Sequence, residues 1–131
     1  MVKANPMRAH RPGFTLIEML VVMVVIALLL TLALPRYIGS LEQARERVLR
    51  ENLKIMRVSL DKFYADRGRF PDTLADLVEH NYLRAVPIDP MTESALTWIA
   101  VPAADAEAAG VADVKSGAAG TDKEGNTYES L

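Results

Sequence analysis

One carboxylate stands inside the longest apolar run of this sequence. Glu18 lies four residues past Phe14 in the run 14–34, whose other polar positions are Thr15 and Thr31. A charged carboxylate at that depth costs a few kcal/mol to insert, less if it snorkels to the interface. It reads either as an interfacial acid with little role, or as a charge neutralised by a positive partner inside an assembly. Intramembrane acids point to the second reading by default. The remaining chemistry-bearing residues are sparse. There is no Cys, which excludes disulfides, thiolate metal sites, iron–sulfur clusters and Cys nucleophiles. The two His residues, His10 and His80, are far apart in sequence, which leaves no His-rich zinc site. His80 reads as a capping or solvated residue beside a helix end. Ser40, Ser59, Ser94, Ser116 and Ser130 have no His–acid arrangement around them, and neither a Gly-rich phosphate loop nor H-E-x-x-H occurs. The sequence predicts a protein that is not an enzyme.

The element that must position Glu18 is a membrane helix. Residues 14–34 make a 21-residue run, about 31 Å as an α-helix and long enough to cross a hydrocarbon core. The run is too long for the apolar region of a secretory signal, and no A-x-A site follows. A single-span protein is expected. Lys3, Arg8 and Arg11 precede the span, while Arg36, Arg45, Arg47 and Arg50 follow it. The positive-inside rule alone does not decide the orientation. The short, acid-free head is the cheaper piece to leave in the cytoplasm.

Beyond the span, Pro35 should kink or break the helix. The pattern then resumes. Ile38, Leu41, Ala44, Val48, Ile55, Leu60 and Phe63 recur mainly three or four residues apart, and predict an amphipathic helix ending near Gly68 with this stripe as core. Arg45, Arg47, Arg50, Arg57, Glu42, Glu46 and Asp61 fall on other faces, expected to be solvated or turned towards other subunits. Thr73 and Asp76 form a capping-box start to a short helix over 74–82. Residues 83–92 carry two X-Pro steps and read as extended. Strands are expected over 96–101, 111–116 and 126–129, with a loop at 102–110. A chain of 131 residues suggests one domain. Its fold class is α+β: one long N-terminal helix, half membrane-embedded and half amphipathic, packed on a small antiparallel sheet. Residues 67–131 hold five basic and eleven acidic residues, which argues against a nucleic-acid-binding domain.

The junction reads Arg11-Pro12-Gly13-Phe14-Thr15-Leu16-Ile17-Glu18-Met19-Leu20. A basic leader ending in Gly, then Phe, a carboxylate four residues on, and a long apolar helix resembles the class III signal of type IV pilins and type II secretion pseudopilins. The later series G-x-F-P, Y-L and P-x-D-P, at 68–71, 82–83 and 87–90, resembles the major (G-type) pseudopilin subgroup. The resemblance runs from about Arg11 to Trp98 and weakens beyond.

The resemblance implies a division into a cleaved leader at 1–13, a transmembrane and polymerisation helix at 14–35, and a periplasmic pilin-like head at 36–131. It implies cleavage between Gly13 and Phe14 by a prepilin peptidase and N-methylation of Phe14. Glycine at 13 lets the backbone enter a protease cleft without a side chain. The Phe14 amine of one subunit would then meet Glu18 of another. The implied protein is a structural subunit of a type II secretion pseudopilus, single-pass in the bacterial inner membrane with a cytoplasmic N-terminus. Its implied partners are further copies of itself in a helical filament, minor pseudopilins, an assembly platform protein and an ATPase. Two alternatives stand beside it. One is a type IV pilin for adhesion, motility or DNA uptake, against which the lack of a C-terminal Cys pair counts. The other is a membrane-anchored periplasmic binding module that never polymerises. Major pseudopilins also commonly hold calcium in the C-terminal loop, where this chain has Ser116, Asp122, Glu124 and Asn126. Oxygen ligands suit calcium, but residues 121–126 lack a tight Asp pair, and a plain hairpin turn is the preferred reading there. No other cofactor is expected.

Overall fold

A computed structural model describes residues 2–7 and 11–131 of the chain. Helix α1 covers Leu16–Arg67 and helix α2 covers Leu74–Glu79. Strands β1 (Ile99–Pro102) and β2 (Val111–Lys115) follow, with single 3-10 turns at Ala106–Ala108 and Tyr128–Ser130. The chain divides into two compact units, Met1–Gly39 and Ser40–Leu131.

In the first unit, every side chain of 16–38 is exposed, although the run is apolar around its whole circumference. Such a surface is stable in hydrocarbon rather than in water. This stretch is long and apolar enough to cross a membrane. Pro35 neither ends nor splits α1. In lipid, breaking the helix would strand further backbone groups without partners, so one missing N–H is the smaller loss.

The second unit is built on the rest of α1. Leu49, Leu53, Met56, Leu60 and Phe63 form one buried row at alternating four- and three-residue spacing. Leu77 of α2, Trp98, Val111 and Val114 close the core from the other side. The expected stripe is therefore partly displaced: Leu60 and Phe63 are core, but Leu41, Val48 and Ile55 are exposed. Two apolar rows lie side by side on this half of α1. The head covers the row that also carries the larger side chains at 53 and 56, and leaves the 41/48/55 row outside.

α1 stops where Gly68 takes φ 71° and returns its N–H to the Tyr64 carbonyl at 2.8 Å. At the start of α2 the Asp76 carboxylate accepts the N–H groups of Asp72 and Thr73 at 3.0 and 3.1 Å, the acidic half of the expected capping box. α2 ends three residues earlier than expected. Asn81 turns left-handed at φ 64°, and the Tyr82 and Leu83 N–H groups fold back onto the Leu77 carbonyl.

β1 and β2 pair antiparallel, Ile99 opposite Lys115 and Val101 opposite Asp113. Pro102 then pairs with Val111, so Ala112 is an extra residue in a β-bulge. Next to β2, Gly110 sits at φ 120° with room for no side chain: a Cβ there would lie 2.5 Å from the Pro71 carbonyl oxygen. The third expected strand does not form. Residues 128–130 make a 3-10 turn, and only an isolated bridge joins Thr121 to Thr127. The Asp122 side chain takes the Glu124 and Asn126 N–H groups, which a strand would have used for its ladder.

Because Ser40–Leu131 has its own core, a fragment of residues 38–131 should be soluble and unfold cooperatively by circular dichroism. Leu53→Ala in that fragment should cost about 2–5 kcal/mol by thermal or urea unfolding.

Candidate functional site

The expected processing and assembly residues lie at the start of α1. Residues 11–15 are outside regular structure, and Phe14 is 80% exposed. Nothing stands within 4 Å of where a Gly13 Cβ would project. The Gly13–Phe14 bond is thus in irregular, uncovered backbone directly ahead of a helix. Thr15 caps that helix: its Oγ1 accepts the Glu18 N–H at 3.2 Å, and its carbonyl accepts the Met19 N–H at 3.1 Å. Glu18 therefore stands in the third helical position, where a carboxylate also suits the positive end of the helix dipole. The cap was readable in the sequence as T-x-x-E before an apolar run. Arg8 and His10 lie outside the described residues.

The C-terminal candidates are not brought together. Ser116 is fully buried, and its hydroxyl donates to the Asp89 carboxylate, which also accepts the Met91 N–H at 2.8 Å. Glu124 is exposed. Asp122 is buried at the mouth of a tight turn in which Gly125 has φ 87° and returns its N–H to the Asp122 carbonyl at 3.2 Å. The turn expected at 121–126 is present. Among the described residues no group of three or more His, Asp or Glu converges as a metal site would require.

What holds this region is a set of polar residues on α1. The Arg50 guanidinium donates to Asp122 Oδ2 at 2.8 Å. Two helical turns further on, Arg57 donates to Asp113 Oδ1 at 2.8 Å and to the carbonyls of Val114 and Leu131 at 3.1 and 2.7 Å. Glu46 is buried close to the Tyr128 phenol. Burial first, and then the negative charges of Glu46, Glu42 and Asp122, push the Tyr128 phenol above its ordinary value. Glu46, Arg50 and Arg57 were expected on solvated or subunit-facing sides of the helix; their partners are instead within the same head. No spacing rule pairs them with residues more than 50 positions away. His80 ends α2, its ring edge-on to Phe63 and its Nδ1 3.2 Å from the Arg67 guanidinium, in keeping with the capping reading.

Burial alone would raise the Asp122 pKa. The Asn126 backbone and side-chain donors, the Glu124 N–H and the Arg50 charge outweigh it and hold the carboxyl below its ordinary 3.8. A depressed folded value gives stability that is complete above 3.8 and lost as pH falls through the folded pKa. The 38–131 fragment should therefore keep this contribution from neutral pH down to about pH 5 and lose it below about pH 4. Asp122→Asn should flatten that acid limb of melting temperature against pH.

Comparison with known proteins bears on both regions. The model of the prokaryotic N-terminal methylation motif matches residues 8–34. The type II secretion system core protein G of Pseudomonas aeruginosa is 30% identical over 99 residues, covering 63% of this chain and 70% of the relative. The protein of the same name from Klebsiella pneumoniae is 32% identical over 94 residues, covering 60% of this chain and 67% of the relative. The competence protein ComGC of Halalkalibacterium halodurans is 31% identical over 74 residues, 56% and 72% of the respective chains. No solved structure matches. A methylation motif laid over a capped apolar helix, joined to a small α+β head and to relatives at this identity and coverage, makes the chain a member of the type IV pilin and type II secretion pseudopilin family, on the side of the core protein G relatives.

Proposed function

We propose that this protein is a structural subunit of a type II secretion pseudopilus, assembled from the bacterial inner membrane into a periplasmic fibre. The observation that carries the reading is the start of α1: an uncovered Gly13–Phe14 bond, a Thr15 cap and Glu18 one turn into an apolar helix. A prepilin peptidase acting on the cytoplasmic side removes residues 1–13, and Phe14 becomes the N-methylated amino terminus. The ammonium of an incoming Phe14 then pairs with Glu18 of a neighbour. At that depth an unpaired charge is costly, so the pair sets the stagger between subunits. The head remains periplasmic. An ATPase and a membrane platform protein drive addition, minor pseudopilins join the fibre, and the chain itself catalyses nothing. The exposed row Leu41, Val48 and Ile55 supports the reading, because residues seven apart lie on one helix face and suit packing against another copy.

A second reading, a pilin for DNA uptake, is favoured by the competence relative. Deleting the gene separates the two. Loss of exoprotein release with normal transformation supports the first; the reverse supports the second.

Two outcomes are expected in native membranes. Intact mass and N-terminal sequencing should show mature chains beginning at methylated Phe14, and Gly13→Trp should leave the precursor uncut. Glu18→Val should insert at least as well as wild type and still be processed. At matched membrane levels its fibre yield should drop ~100-fold or more, the factor for leaving a buried charge worth about 3 kcal/mol unpaired. Normal fibres and secretion from Glu18→Val would return Glu18 to the role of an interfacial acid.

A further inference from the structure

The Asp122 side chain has no solvent exposure, and both its oxygens are fully engaged. Oδ1 accepts the N–H groups of Glu124 and Asn126 at 2.9 and 2.8 Å. Oδ2 accepts from the Arg50 guanidinium at 2.8 Å and the Asn126 side-chain amide at 3.3 Å. An ionised carboxylate offers about four lone-pair sites, and here each faces a donor. Calcium takes about six to eight oxygen ligands. To use Asp122 it would have to displace these donors and lie beside a guanidinium of its own sign. Ser116 Oγ is buried and turned to Asp89, which leaves Glu124 and Asn126 as the exposed oxygen ligands of the four candidates, with the Asn126 amide already donating to Asp122. The residues present do not fit a calcium ion.

We infer that this chain closes its C-terminal loop with the Arg50 guanidinium in the place a divalent cation would take, so that the loop is independent of metal and Arg50 is its positioning residue. A guanidinium can do this because a buried carboxylate needs a positive charge and hydrogen-bond donors, and one Arg supplies both. Arg57 extends the hold two turns along the same helix by fixing Asp113, Val114 and the Leu131 carbonyl. The other hydrogen bonds to Asp122 come from neutral donors, the Glu124 and Asn126 N–H groups and the Asn126 side-chain amide. Removing Arg50 therefore takes the guanidinium charge from a buried carboxylate, and the loop should open.

The test uses the full chain in detergent micelles. Glutamyl endopeptidase cuts after the exposed Glu124 once the loop opens, and release of the peptide 125–131 follows the open population. Wild type should release it at the same rate in chelator, in millimolar calcium and in magnesium of equal ionic strength, and calorimetric titration with calcium chloride should give no saturable heat. Arg50→Ala should release it roughly tenfold faster with unchanged far-ultraviolet circular dichroism, and Arg50→Lys should fall between the two. If Arg50→Ala does not fold, Asp122→Asn provides the same reading, since it removes the charge that Arg50 holds. Calcium-specific slowing in wild type, saturable calcium heat, or a variant rate equal to that of wild type would overturn the inference.

Discussion

Everything in this molecule depends on one helix having to satisfy two surroundings. Over 16–38 α1 has no buried side at all. From Leu49 to Phe63 it supplies a row of side chains at most 1% exposed. The other elements are too small to stand alone. A sheet of four and five residues and a helix of six cannot enclose a core by themselves. They are ordered because Leu77, Trp98, Val111 and Val114 have the α1 row to pack against. The helix is therefore both the anchor and half of the hydrophobic interior.

Apolar packing fixes that half of the head, and polar contacts fix the rest. Past β2 the chain offers few large apolar groups: Gly117-Ala118-Ala119-Gly120 and then a run of polar residues. Such a segment gains little by burial and would remain loose. Arg50 and Arg57 order it from the helix side, each reaching a partner that arrives late in the chain. Asp89 plays a similar part from the loop before β1 by holding Ser116. The division is physical: early residues bury carbon, late residues satisfy donors and acceptors.

This division explains what was legible beforehand. α1, its end at Gly68, the start of α2 and the two paired strands are local matters of period, glycine and capping. They could be read from neighbours in sequence. The choice between two adjacent apolar rows on α1 could not, because either row fits a helical period and only the head decides which is covered. Nor could the fate of 126–129. The residues alternate well enough for a strand, but Asp122 competes for their backbone donors, and nothing local announces that Arg50 will stabilise the ionised carboxylate that does so. At the head of α1 the sequence carried the carboxylate and its place in the apolar run, while the Thr15 cap on the Glu18 N–H, although its spacing was present, is a feature the structure adds.

The bulge at Ala112 and the proline ending β1 carry a consequence for how such chains avoid the wrong kind of union. A two-stranded sheet has an open edge on each side, and crowded copies could in principle zip together through them. Here each strand is short, the bulge twists the pairing out of flatness, and Pro102 has no N–H to offer an intruding strand. Amyloid-like stacking is thereby disfavoured at the edges of the sheet.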